Sequence, residues 1–553
     1  MTVTRKRKWG IAGFVLLACL ACHTERPADI PAPQSVVPVE GGRLVRRLEG
    51  DVSTLNYVKH STTPEKLVLS YIHDPLVGFD QNLEVIPGLA RSWTVSDDRL
   101  TWTFELEPAA TFSDGKKVTA ADVVFTLGKI IDPKSQSIQL AGMFEALDPS
   151  RTRAVDEDTV EVAFTEARPA QLMAFNMAVL PAHVYSRGNF ATDHDQTAVG
   201  SGPYVFVRRE PGREILLERR EDYWRARPPI HSILFRIIED RNQAWNALRT
   251  GEIDESAVLT DHWLAAARDP SMAPGIEFHR FYELGYNFMP WNTRDPQLSD
   301  PRVRRALTMA LDRGLLIERL YYGTARITTG PFTPNHWAFD PAVRPIEFDP
   351  AGARRLIEEA GWRDSGSDGL LDRDGKPFEI EMLLIAGDGG SANQAQVFQE
   401  ELARIGIRLN INRIDAATLF SRVLAGDFQT TILAWSIDLD PDLFSLFHSS
   451  QFPPNGQNFV FYSNPEADRL IEEGRREFDE ARRRDIYREL HRILAEDQPY
   501  TWMVQVSTKW GVSERLRNVQ EAEGFGLFGW EPGPLQWWIA PDTQRFERTQ
   551  TQP

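Results

Sequence analysis

Between residues 380 and 434 the chain alternates strands and helices in a way that admits few architectures. Ile380 to Ile385 reads as an apolar strand. Residues 392–405 then carry Ala395, Phe398, Leu402 and Ile405 at helical spacing, up to a stop at Gly406. Ile407, Leu409 and Ile411 alternate as a second strand. Asp415 opens another helix, with Leu419, Phe420, Val423 and Leu424 on its apolar side and Gly426 beyond its end. Thr430 to Ala434 forms a third strand. Strand–helix–strand crossovers are almost always right-handed and build parallel sheets, so this run predicts a lobe with an open α/β sheet. Ligands of such sheets bind beyond the carboxyl ends of the strands. Past Ala434 the chain runs Trp435-Ser436-Ile437-Asp438-Leu439-Asp440-Pro441-Asp442, a carboxylate-rich loop headed by tryptophan.

A second stretch, residues 83–125, is equally well patterned. Trp102, Phe104 and Leu106 alternate with Thr101, Thr103 and Glu105, the signature of a strand with one buried face. Ser96-Asp97-Asp98 and Asp114-Gly115 supply turns at its flanks. Thr119 and Asp122 form a capping box ahead of a helix with Val123, Val124, Leu127, Ile130 and Ile131 on one side. Every residue here has a structural job as core, cap or turn. Further on, Asp300-Pro301 and Asp349-Pro350 each open a helix with a cap followed by proline.

At 553 residues the chain exceeds a single core; at roughly 100–200 residues per domain it makes three or four lobes. A net charge of −17 argues against a nucleic-acid partner reached through phosphate neutralisation. No nucleophile elbow, P-loop, dinucleotide fingerprint or HExxH motif is present, and the histidines include no pair at metal-ligand spacing. Asp364, Asp368, Asp372 and Asp374 suggest a calcium loop, but glycines fall at its third and twelfth places and a hairpin at Asp374-Gly375 fits better. The reading is a binding protein with no catalytic residues, metal or cofactor.

The N-terminus carries Arg5, Lys6, Arg7 and Lys8 before an apolar run from Trp9 to Ala21, too short for a permanent membrane helix. The only cysteines, Cys19 and Cys22, each close a lipobox-like tetrad. Leu16, three places before, favours Cys19; the polar residues just beyond favour Cys22. Residues 1–18 are then a signal peptide (to 21 if Cys22 is lipidated), and the Pro-, Ala- and Ser-rich residues up to 40 a tether.

Several phrases, in order, resemble the family 5 solute-binding proteins, the peptide- and nickel-type receptors of bacterial ABC importers. They are Pro87-x-Leu89-Ala90-x-x-Trp93, Phe112-x-Asp114-Gly115 with Thr119-Ala120-x-Asp122-Val123-Val124-Phe125, Gly200-Ser201-Gly202-Pro203-Tyr204, Gly251-Glu252-Ile253-Asp254, Arg302-Val303-Arg304-x-Ala306-Leu307 and Tyr462-Ser463-Asn464-Pro465-Glu466. The resemblance implies a bilobal periplasmic-binding-protein fold of the α/β class (class II, cluster C type) with an inserted subdomain. Lobe I would comprise 41–79, 198–285 and 505–545, the insert 80–197 and lobe II 286–504. It implies further that Asp438, in the W-x-x-D that begins at Trp435, pairs with a peptide's α-amino group. The competing reading is a solvated acidic turn that caps the next helix. Asp74 stands where the family has a glutamate near the cleft, and His183 is structural. Gly200, Gly202 and Pro203 are expected at a sharp structural or hinge turn needing positive φ. The implied function is a monomeric, lipid-anchored receptor in the periplasm or at the cell surface, capturing peptides for an ABC permease. The same fold also serves nickel-chelate, haem and oligosaccharide receptors, and surface lipoproteins that have lost transport.

Overall fold

A computed structural model describes residues 38–543. The signal segment, both cysteines and almost all of the tether lie outside the described residues, as do positions 544 and 545 of the expected first lobe.

The first lobe is built on a mixed seven-stranded sheet in the order Ile276–Phe281, Thr508–Ser513, Glu255–Ala257, Arg43–Leu48, Ser232–Ile237, Glu214–Arg219, Tyr204–Glu210. Arg43–Leu48 runs parallel to both of its neighbours; the remaining pairings are antiparallel. Its apolar face buries Leu44, Leu48, Ile215, Leu217, Ile233 and Phe235 with Leu69 and Ile72 of the helix Thr63–Ile72. Polar burial ties the sheet centre together. Arg46 pairs with Glu255 at 2.6 Å, and the Arg515 guanidinium grips Asp254 and donates to Arg43 O (2.7 Å). Breaking such a buried pair from one side is costly, because the partner charge is stranded.

The inserted subdomain is a four-stranded antiparallel sheet, Ala90–Val95, Thr101–Leu106, Thr159–Ala163 and Arg153–Ala154, covered by the helix Ala120–Ile131. Trp102, Phe104 and Leu106 are buried, and both halves of the Thr119–Asp122 capping box form. His183 Nε2 meets Asp114 at 2.6 Å, a structural contact.

The second lobe has two sheets. One is antiparallel, in the order Ala325–Ile327, Tyr500–Val506, Gly285–Pro290, Leu433–Ser436. The other is parallel, in the order Arg408–Ile414, Glu379–Ile385, Thr430–Thr431. The expected third strand of the crossover is thus cut at Ile432: its first half joins the parallel sheet and its second half the antiparallel one. Asp300 and Asp349 cap their helices as expected, and Asp372–Arg373 pairs with Lys376–Pro377 in the expected hairpin.

The chain crosses between lobes at residues 282–284 and at Ser507, a few residues from the expected boundaries. The second crossing is pinned. Ser507 donates its N–H and its hydroxyl to Thr324 O (3.0 and 2.6 Å), and buried Lys509 donates to Thr324 Oγ1 at 2.7 Å. The lobes also meet through side chains. Phe79 of the first lobe packs with Leu284 and Leu439, and Met173, Ile437 and Phe525 flank them.

Gly200, Gly202 and Pro203 correct one expectation. Neither glycine has a positive φ. A Cβ on Gly200 would stand 2.2 Å from Ile72 O, and one on Gly202 would stand 2.6 Å from Ile72 C. The segment needs glycine because it lies backbone to backbone on the end of the helix Thr63–Ile72, where Gly202 N–H donates to Ile72 O (2.8 Å). Pro203 O accepts from Arg220 N–H at 2.8 Å. All three sit inside the first lobe, away from both crossings.

Candidate functional site

Strand Leu433–Ser436 brings the acidic loop to the crossing. Trp435 lies opposite Tyr286 in the sheet, and Ile437 N–H extends the ladder to Leu284 O at 3.1 Å. Strand alternation exposes Ala434 and Ser436 and turns Leu433 and Trp435 toward the aromatic core of the second lobe. The Trp435 ring is half-buried, stacked on Phe288 (5.9 Å between centroids, 12° between planes) and tilted against Phe459. It forms part of a wall behind the loop.

The loop holds three carboxylates at alternating positions, and the structure gives two of them other work. Asp440 pairs with Arg483 at 2.7 Å. Asp442 pairs with Arg475 at 2.8 Å and accepts the N–H of Phe444, the first residue of the short helix Phe444–Phe447, at 2.9 Å. Of the three carboxylates, Asp442 is the one that meets the next helix. The Asp438 carboxylate has no hydrogen-bond or ion-pair partner among the described residues, while its main chain is fixed from behind. His336 Nε2 contacts Asp438 O at 3.1 Å, and Trp337 Nε1 donates to Leu439 O at 2.9 Å. Burial holds the His336 imidazole well below its usual range, at about 4, so at neutral pH it is neutral. Its Nδ1 accepts from Ala338 N–H, which leaves the Nε2 proton for Asp438 O.

Solvent still reaches the Asp438 side chain, yet the surrounding protein crowds it enough to raise its carboxyl above the usual range. The Lys66 ammonium, which belongs to the first lobe, opposes that shift.

Asp74 has different company. It is buried, and its two oxygens accept from Tyr223 Oη and Trp224 Nε1, both at 2.8 Å. Its N–H donates to Ser201 Oγ at 3.1 Å. Desolvation pushes its carboxyl up to about 7, with Arg225 pulling the other way. Those partners make Asp74 a joint within the first lobe rather than a group presented to a ligand. Sequence reasoning missed His336 and Trp337. A lone histidine and a tryptophan on a loop carry no local sign that they hold the main chain at residues 438 and 439.

Among the described residues no cluster of metal-ligating side chains occurs. Two lobes joined by two crossings, with an unpartnered carboxylate next to Leu439 where that residue packs on Phe79 of the other lobe, define a two-lobed binding protein. The chain belongs to the bacterial extracellular solute-binding proteins, family 5, whose middle region matches residues 84–457. It is 27% identical over 551 residues to the oligopeptide-binding protein AppA of Bacillus subtilis, covering 97% of this chain and 100% of that one. It is 24% identical over 526 residues to the nickel-binding periplasmic protein of Escherichia coli, covering 92% and 95%. The solved structure of Bacillus subtilis AppA in complex with a nonapeptide superposes with a TM-score of 0.73 at 27% identity, over 91% of this chain and 100% of that one.

Proposed function

We propose that this protein is the substrate-binding component of an ABC importer, that it captures peptides between its lobes by their free N-terminal amine, and that it passes them to a membrane permease. The observation that carries the reading is the unpartnered Asp438 carboxylate on a loop whose other carboxylates are consumed by arginines. A partly desolvated carboxylate facing an ammonium makes a charge-assisted bond, which fixes a peptide's register without reading its side chains. Peptide-binding relatives support the ligand class. The nickel-binding relative puts metal chelates in the test panel, although no feature of the site favours them. Trp435 acts as the wall that holds the loop, and Asp74 as a support within the first lobe.

Calorimetry with free-amine and N-acetylated peptides tests this. Asp438→Ala should weaken free-amine peptides by about 10- to 100-fold and leave N-acetylated ones nearly unchanged. Equal losses on both would remove the role assigned to Asp438, and a wild-type protein that binds neither would end the peptide reading.

The N-terminal pattern supports export of a chain tethered through a lipid on Cys19, with Cys22 as the alternative. Mass spectrometry of the mature N-terminal peptide should find diacylglyceryl mass on one of them. A free thiol on both would reject the anchor.

A further inference from the structure

Residues 334–341 of the second lobe work on two sides. One side is tied to the first crossing and the acidic loop. Asn335 Nδ2 donates to Tyr282 O at 2.8 Å, His336 Nε2 meets Asp438 O at 3.1 Å, and Trp337 Nε1 donates to Leu439 O at 2.9 Å. The other side lines a cavity of about 390 Å³, where His336, Trp337, Phe339 and Pro341 stand with Arg484 and Arg488 of the helix Glu480–Asp497. Four residues apart, the two arginines share one face of that helix. The carboxylates around them are already taken: Arg483 pairs with Asp440, and Arg492 pairs with Asp340 and Glu489. Asp485, between them in sequence, is exposed and pairs with neither. Arg484 and Arg488 thus make no ion pair or hydrogen bond among the described residues. Arg488 Nε is shut off from solvent and still has no acceptor.

We propose that this cavity is a second ligand site, which takes a small organic anion with an aromatic or apolar body, and that its occupant steadies the loop carrying Asp438. The anion follows from the lining. A guanidinium fork matches a carboxylate or phosphate through paired hydrogen bonds, and two forks one helical turn apart can hold a single anion between them. Such a group supplies the acceptor that Arg488 Nε lacks. The rings of Trp337 and Phe339 offer apolar surface to the rest of the molecule. The volume lies near the lower end of the roughly 300–1,000 Å³ of small-molecule pockets. The net charge of −17 repels anions in general, so the two free arginines are what draws one here. Coupling follows from shared residues. His336 and Trp337 line the cavity and also hold the main chain at residues 438 and 439, so an occupant that fixes their rings fixes the loop. None of this depends on what Asp438 itself binds.

Calorimetry with hippurate and with phenyl phosphate tests the site. Both carry a ring and an anion but no amine, so neither offers Asp438 an ammonium. Wild type should bind at least one of them about tenfold or more tightly than hippuramide, the uncharged amide, and the tighter of the two names the anion. The double variant Arg484→Gln/Arg488→Gln should lose about tenfold or more in affinity for that compound and none for hippuramide. If wild type binds neither anion, or the double variant binds as wild type does, the site is wrong. Hydrogen-exchange mass spectrometry reads the coupling. A saturating anion should slow amide exchange in residues 433–443 by about threefold or more in wild type and leave the double variant unchanged. Unchanged exchange in wild type with the cavity filled would overturn the link to Asp438. Neither arginine has a partner to lose, so the free double variant should melt with wild type. A marked drop would make the pair structural and count against the assignment.

Discussion

Asp74 holds its proton until about pH 7, because its pocket inside the first lobe solvates the charged form poorly and Arg225 repays only part of that cost. In the unfolded chain the same group ionises near 3.9. Between those values the folded state binds more protons, so stability falls as pH rises from about 4 to about 7 and then levels off. Asp74→Asn mimics the protonated acid: its oxygen can accept from Trp224 and its amide can donate to Tyr223. It should exceed wild type by about 1.5 kcal/mol at pH 5 and by about 4 kcal/mol at most at pH 8. Urea unfolding at the two pH values decides; parallel curves for both proteins would show that Asp74 does not set the slope. Residue 74 also marks a limit of sequence reading. Its position ahead of Pro75 gave it a place in the family pattern, but its partners at 223 and 224 lie far along the chain. Asp438 shows the same limit from the other side. The loop was legible from its strand, yet which of Asp438, Asp440 and Asp442 stays free depends on Arg475 and Arg483, which no local pattern connects to it.

Elements fixed by local rules match the structure closely: the capping box at Thr119, the caps at Asp300 and Asp349, and the alternation of Thr101–Leu106. Those set by competition for space do not. Helix Ala416–Ala425 offers four apolar side chains, but the lobe covers only Leu419 and Val423, leaving Phe420 and Leu424 about half exposed. The turn before Thr101 has a role that its pattern did not announce. Arg99, at φ 59°, tops this turn, and its guanidinium lies 4.2 Å over the ring of Phe478 in the second lobe. Phe478 in turn packs against the core of the inserted subdomain. One hairpin of the insert therefore fastens the lobes together. Phe478→Ala should weaken ligand binding by about three- to tenfold and enlarge the radius of gyration of the free protein by small-angle scattering. An unchanged radius together with unchanged affinity would make the contact incidental.

Across the whole molecule, the two crossings divide the work unequally. The second lobe is a single run of chain, from Gly285 to Val506, and its sheets draw on nothing outside that run. The first lobe is assembled from both ends of the protein. Arg43–Leu48 lies near the centre of its sheet, Thr508–Ser513 is inserted between Glu255–Ala257 and Ile276–Phe281, and Arg515 closes on Asp254 and Arg43. Closure between lobes with this connectivity is a hinge motion about a pinned joint, since Ser507 and Lys509 hold the second crossing to Thr324. The same connectivity governs the order of events at birth. A chain made from its N-terminus cannot complete its first sheet until nearly the last residues have left the ribosome, although the middle can fold much earlier. The first sheet therefore stays unfinished until Thr508–Ser513 arrives, whereas the inserted subdomain, whose strands all lie between residues 90 and 163, can close its own core as soon as it is made.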